Sequence, residues 1–354
     1  MSKSVKMAVI GCGKWGLERA LSFQEQGVEI VAVCDIDDDT AIEAGNRLGL
    51  EVSAMYSGEQ CWRQLIYSFQ HEYTGIAVLT SPWSRGEMLP ELVHTGKSLY
   101  LEKPLCATKE QLFNALNAYR AASPAYDSNG GPITATGHAG RSPLYRFLRD
   151  TIKSGVWGEL RGLHLSHGWR WNYINKDNWR GDPSQGGGHI LEKLVHQLDG
   201  LLWAVGTFGW VQATGIRLPR NPEVWNQLTA VLEPCGVTEI SVPVTISASF
   251  GLRHQNMQSM EAVFEEKRIL VYEAGGRFWS VDEGGKQTEI GGDDYWWPIH
   301  NMRRFTDAVK CEEHEELVER STFMDGFYAM ELALGVRRAL ETGQRQELLA
   351  AIGT

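Results

Sequence analysis

The sequence predicts an α/β chain of two domains: a parallel sheet wound with helices over residues 1–138, and an α+β domain on a largely antiparallel open sheet over residues 139–354. Three observations carry this. From residue 5 to about 138, short β-branched runs alternate with amphipathic stretches, the rhythm of strands joined by crossover helices. Beyond that point strands group together and helices stand apart, as in an antiparallel sheet with helices to one side. A glycine-rich turn, Gly11-Cys12-Gly13-Lys14-Trp15-Gly16, ends the first strand and opens the first helix.

The first domain reads as strands Lys6–Ile10, Glu29–Cys34, Gly75–Thr80, Ser98–Leu101 and Pro132–Thr136. Helical patterns fall between them, near Trp15–Gln26, Asp38–Leu48, Glu59–Ser68, Arg85–Thr95 and Lys109–Ala121. In the second domain the order is a helix at Pro143–Ser154, a strand at Leu160–His167, a polar aromatic loop and a helix at His189–Val205. Several strands follow between Gly209 and Val281, and helices near His300–Lys310 and Phe323–Glu341 end the pattern.

The 354 residues, 43% hydrophobic, suffice for a sizeable core in each domain. A net charge of -10 without any basic cluster excludes a nucleic-acid backbone as partner. No segment is apolar enough over a sufficient length to span a membrane, and the apolar run before Lys14 is too short for a secretion signal, so the expectation is a cytoplasmic protein. Six cysteines are scattered without a C-x-x-C pair, which predicts reduced, structural thiols and no metal site.

The glycine motif gains weight from its place between a strand and a helix. Gly11 permits the tight turn, Gly13 lets the backbone approach a pyrophosphate, and Gly16 lets helix and strand pack closely. The helix amino terminus, beginning at Lys14 and Trp15, supplies amide donors and a favourable dipole. Asp35 ends the next strand, about 20 residues after Gly16, where a carboxylate accepts from ribose hydroxyls and repels a 2′-phosphate. NAD is therefore expected over NADP. Asp37, Asp38 and Asp39 read either as added negative charge at this site or as a helix cap.

Glu102-Lys103-Pro104 follows the strand Ser98–Leu101 and lies at the carboxyl edge of the parallel sheet, where such sheets bind ligands. There the Lys103 ammonium is within reach of a cofactor ribose and a substrate hydroxyl. A third signal is the glycine entry Gly186-Gly187-Gly188 to the His189–Val205 helix. At helical spacing Glu192, His196 and Asp199 fall within about 60° of one another, with Lys193 beside them. Leu191, Leu194, Val195, Leu198 and Leu202 make the apolar side, which predicts that the titratable face looks into water or into a site.

Together these features resemble the Gfo/Idh/MocA family of oxidoreductases, named for glucose-fructose oxidoreductase and inositol dehydrogenase. The resemblance spans nearly the whole chain and includes Thr80-Ser81-Pro82, Gly96-Lys97, Arg141 with Pro143, and Gly155-Val156-Trp157-Gly158. It implies an NAD-binding Rossmann domain in which Thr80, Ser81, Pro82 and Glu102 join the cofactor site, and Lys103 contacts the nicotinamide ribose and substrate. It also implies that His196 exchanges the proton of a reacting hydroxyl. The carboxylate one turn before this histidine, usually Asp in the family, is Glu192 here, and Arg85 stands where a His often follows the Thr-Pro turn.

A histidine of ordinary pKa, about 6.5, can take a hydroxyl proton near neutral pH. The expected roles are His196 as base, Glu192 or Asp199 as its orienting acid, and Lys103 as stabiliser of alkoxide charge. Which of Lys103, His196 and Glu192 is the base stays open on the sequence alone. The substrate site is read from the loop residues Trp169, Arg170, Tyr173 and Trp179, whose rings and forked donors suit a polyhydroxylated small molecule, together with Lys103, Arg141, Lys193 and His196. The same aromatic residues equally suit a subunit interface, because the family resemblance implies a homodimer or homotetramer formed through the carboxy-terminal sheet. Retained NAD serving elimination, hydrolysis or epimerisation, and a non-catalytic sugar sensor, are the competing readings.

Overall fold

A computed structural model describes residues 4–69, 73–128, 130–139, 141–170, 179–180, 182, 185–217, 224–252, 256–292, 297–310 and 320–349. The chain divides into two compact units, Met1–His138 with Pro298–Phe327, and Ala139–Trp297 with Tyr328–Thr354.

In the first unit, strands β1 (Lys6–Ile10), β2 (Glu29–Asp35), β3 (Met55–Ser57), β4 (Gly75–Val78), β5 (Ser98–Leu101) and β6 (Thr134–Thr136) form one sheet in the order β3-β2-β1-β4-β5-β6. Every pairing in it is parallel. Helices α1 (Lys14–Glu25), α2 (Asp38–Leu48), α3 (Cys61–Phe69), α4 (Pro82–Leu92) and α5 (Lys109–Ala121) make the crossovers. Strand order reverses between β1 and β4, and loops leaving their carboxyl ends therefore flank an open crevice.

The strands are continuous apolar runs because both faces of a parallel sheet are covered: all four residues of β4 and of β5 are buried. Part of that cover comes from far along the chain. Met302, Phe305 and Ala308, on the helix Trp297–Lys310, lie in the same core as Phe23 and Tyr100, whose rings meet edge to face at 5.2 Å. β3 escapes the sequence pattern because it is three half-buried residues. Helix α4 begins at Pro82 rather than near Arg85, since Ser81 caps it and proline suits a first helical position.

In the second unit, α6 (Pro143–Ser154) precedes β7 (Leu160–Arg170), and α7 (Val195–Val205) precedes a run of strands. These are β8 (Gly206–Ile216), β9 (Gln227–Thr238), β10 (Val244–Leu252), β11 (Met257–Phe264), β12 (Arg268–Ala274), β13 (Arg277–Asp282) and β14 (Gln287–Gly291). With the short β15 (Gln346–Glu347) they form a nine-stranded sheet, β14-β13-β12-β11-β7-β10-β9-β8-β15. Only the β7–β10 pairing is parallel, so the sheet is mixed and mostly antiparallel. Alternation along β11 is strict, with Gln258, Met260, Ala262 and Phe264 buried and the residues between them less so. β7 runs on through Trp169 and Arg170, which the sequence assigns to a loop, because their partners on β10, Phe250 and Leu252, continue the ladder. Among the described residues no helix is long and apolar enough to cross a membrane.

Candidate active site

β1 delivers the chain to Gly11, which sits at φ +94° and donates its amide to the Cys34 carbonyl at 2.8 Å. A side chain at Gly11 would press on the backbone of Leu79 and Thr80 at the end of β4, and one at Gly16 would collide with the Gly11 carbonyl oxygen. Gly13 differs: a Cβ there meets nothing within 4 Å. Close packing thus demands glycine at 11 and 16, while open space lies over 13.

Helix α1 starts at this opening with no side-chain cap and no acidic residue in its first turn. By contrast α2, α4 and α5 are capped by Asp37, Ser81 and Thr108. The amides at the head of α1 therefore keep their capacity to hold an anion. Lys14 and Trp15 stand exposed in this first turn, with the Arg19 guanidinium 5.8 Å from the Trp15 ring centre.

Asp35 closes β2 beside the turn. Its Oδ2 accepts from the Cys12 amide at 2.6 Å and its Oδ1 from the Asp37 amide at 3.1 Å, so the carboxylate is fixed at the sheet edge. Burial and the nearby Asp35 charge push the Cys12 thiol up to about 12, which keeps it protonated and unreactive. Asp37 accepts from the Thr40 amide at 2.8 Å and is a helix cap. On the β4 side, Ser81 Oγ caps α4, whereas Thr80 Oγ1 is buried with no hydrogen-bond partner among the described residues. An orphaned hydroxyl beside an uncapped helix and an open glycine is what a pyrophosphate-linked dinucleotide requires.

Glu102 is held on two sides. Arg19 Nε donates to its Oε1 at 3.1 Å and the Lys103 amide to its Oε2 at 3.0 Å, which places the half-buried Lys103 directly after β5. Glu102 is thus a brace between α1 and the lysine loop. The sequence reading missed a second brace. Arg85 is wholly buried and donates to the carbonyls of Thr80 and Pro104, both at 2.7 Å, joining the loops that carry Thr80-Ser81-Pro82 and Glu102-Lys103-Pro104. Its signal was present as an arginine at an unusual position, but carbonyl partners such as those of Thr80 and Pro104 are not marked by any residue type in the sequence.

In the second unit the predicted titratable face divides. Residues Ile190–Leu194 form a π-helical turn before α7, so the regular spacing that aligned Glu192 with His196 does not hold there. Across residues 190–200 only Lys193 and His196 are not buried. Glu192 is 4% exposed, with the Arg180 Nε at 3.8 Å, and Arg180 in turn lies over the Trp179 ring at 4.2 Å. Asp199 is 1% exposed and bears on Tyr145. Burial above all, helped by Asp199, pushes the Tyr145 hydroxyl well above its ordinary pKa, and that hydroxyl lies 3.2 Å from His167 Nε2. His196 itself takes its Nδ1 hydrogen bond from the Ala139 amide at 3.0 Å.

The remaining candidates scatter. Trp169 is buried, stacked on Phe250 at 4.9 Å and on His167 at 5.5 Å, and so packs a core. Arg170 is exposed at the strand end and donates its amide to Asn256. Arg141 is buried with its guanidinium 5.2 Å from the Trp203 ring centre. Tyr173 lies outside the described residues.

Two family models match the chain. Residues 5–126 match the oxidoreductase family with an NAD-binding Rossmann fold, and residues 145–270 match the GFO/IDH/MocA C-terminal domain. This chain belongs to the Gfo/Idh/MocA family of oxidoreductases. Its first unit is accordingly an NAD-binding Rossmann domain, and Gly11, Gly13, Gly16, Asp35 and Thr80 fit that cofactor.

Solved structures share the family fold over nearly the full chain. Levoglucosan dehydrogenase in complex with NADH and L-sorbose is 17% identical with a TM-score of 0.77, covering 98% of this chain and 99% of that one. An oxidoreductase from Agrobacterium radiobacter in complex with NAD+, L-tartaric acid and magnesium is 14% identical at 0.76, covering 98% of each chain. The WlbA dehydrogenase from Chromobacterium violaceum, in complex with NADH and UDP-GlcNAcA, is 17% identical at 0.76, covering 98% and 97%. No curated protein sequence matches the chain significantly.

Proposed function

We propose that this family member is a dehydrogenase that oxidises a ring hydroxyl, or reduces the matching ketone, of a sugar, sugar derivative or cyclitol. One observation carries the reading: the π-turn and α7 leave an amine and an imidazole, Lys193 and His196, as the only unburied side chains of residues 190–200. Such a pair suits binding of hydroxyl oxygens and of the charge that develops on one of them. Bound NAD+ would supply the acceptor for the carbinol hydride. His196 acts on the reacting oxygen, Lys103 serves the cofactor ribose, and Lys193, Arg180 and Trp179 serve substrate recognition. Levoglucosan dehydrogenase with L-sorbose and WlbA with UDP-GlcNAcA lend support as polyhydroxylated relatives.

A spectrophotometric screen for NADH formation across sugars, sugar acids, nucleotide sugars and inositols tests this. Turnover with at least one polyol is expected, faster with NAD than NADP. Epimerised or eliminated product without net NADH would favour the retained-cofactor reading.

Copies of the chain associate through the open face of the nine-stranded sheet. The exposed apolar side chains Val231 on β9 and Leu270 on β12 support this, as does Ile216 at the end of β8. Sedimentation velocity should find a dimer or tetramer, and V231E with L270E should weaken it.

A further inference from the structure

We infer that the Ala139 amide fixes His196 as the Nε2–H tautomer, and that His196 serves the reacting oxygen as a hydrogen-bond donor and not as the base. This rests on the dehydrogenase reading for its catalytic half, but the tautomer stands on geometry alone.

A backbone N–H can only donate. It reaches His196 Nδ1 at 3.0 Å, so Nδ1 must offer its lone pair. A neutral imidazole has one proton, and with Nδ1 accepting, that proton sits on Nε2. Uptake of a second proton would have to occur at Nδ1, against the Ala139 N–H. A base in this position would need the opposite arrangement, with Nδ1–H donated to a carboxylate or carbonyl and a bare Nε2 turned to the substrate.

The nearest acids on the same helical stretch are both buried. Glu192, four residues before His196, is buried beside Arg180, and Asp199, three residues after, is buried where it acts on Tyr145. Lys193, one turn back on the unburied side, adds only a further donor. Ala139 is a positioning residue through its main chain, invisible to any reading of side-chain types. In oxidation the substrate O–H bond then breaks with its proton passing to water, while His196 keeps its own proton and stabilises the charge on the oxygen.

Histidine-selective 15N labelling, with the His196 signals assigned by their loss in H196Q, reads the tautomer directly. In the wild type with NAD+ bound, Nδ1 is expected at the unprotonated position and Nε2 at the protonated one; protonated Nδ1 overturns the proposal. Turnover of three variants separates the roles. The Gln amide reaches the Nε2 position, so H196Q should stay within about tenfold of wild type. H196A, and H196N whose amide reaches only the Nδ1 position, should each fall about 100-fold or more. Equal loss in H196Q and H196A, with NAD+ binding intact, also overturns it. If the wild type turns over no polyol at all, the dehydrogenase reading fails while the 15N result still decides the tautomer.

Discussion

At Gly13 and Gly16 one motif meets two different physical demands, and a methyl group separates them. G16A drives a Cβ into the Gly11 carbonyl oxygen and should cost about 3 kcal/mol of stability, read in urea melts. G13A has room in the protein and should fold like wild type, yet weaken NAD binding at least tenfold by calorimetry, because the space it fills is where the pyrophosphate approaches. Arg85 poses the converse case of a charge acting as scaffold. R85M strands the Thr80 and Pro104 carbonyls and should lose about 3 kcal/mol, with R85K recovering part of it, since an ammonium reaches one carbonyl more readily than two. At this scale the glycines and Asp35 were legible, because their demands are local. Arg85 and the Ala139 amide were not, because their partners are main-chain carbonyls in one case and a ring nitrogen 57 residues away in the other.

Elements were legible where periodicity ran long and unbroken. β4 and β5 announce themselves as apolar runs, and α6 as an amphipathic stretch with proline at its head. The π-turn Ile190–Leu194 was illegible: its composition is that of an ordinary helix, and only the ladder of hydrogen bonds distinguishes it. The strand ends of β7 and β10 were hidden for a related reason, since Trp169 looks like loop recognition chemistry until Phe250 is placed against it. That region also carries a pH dependence. Burial lowers His167 to about 3 and His189 to about 4, so both are neutral in the fold and ordinary histidines when unfolded. The unfolded chain therefore binds more protons below pH 6.5, and stability falls with pH in that window. Each histidine should remove about 1.4 kcal/mol per pH unit there. Urea midpoints at pH 7 and pH 5 check this, and H189F should flatten the decline by about half if His167 supplies the rest.

For the molecule as a whole, cofactor binding and folding are linked. A ligand that binds only the native state adds about 2.7 kcal/mol at 100 times its Kd. NAD should therefore raise the melting temperature by several degrees, NADP should raise it less, and D35A should erase most of the difference, all readable by differential scanning fluorimetry. The helix Trp297–Lys310 explains why the plan of the chain was only partly legible. Its apolar side is plain in the sequence, but nothing in that pattern says that Phe305 packs beside Phe23 and Tyr100, more than 150 residues earlier in the chain.

The π-turn has one consequence for how such a chain can change. A helix with i→i+5 bonds amounts to an ordinary helix that has absorbed a surplus residue, so residues 190–194 can give one back. A single deletion there would restore regular winding and leave His196 on α7 beside Ala139. Residues upstream would keep their phase, with His189 still on Phe250, because the bulge alone takes up the extra residue. The turn is thus a place where the chain can lose one residue in a one-codon event while both of its flanks keep their packing.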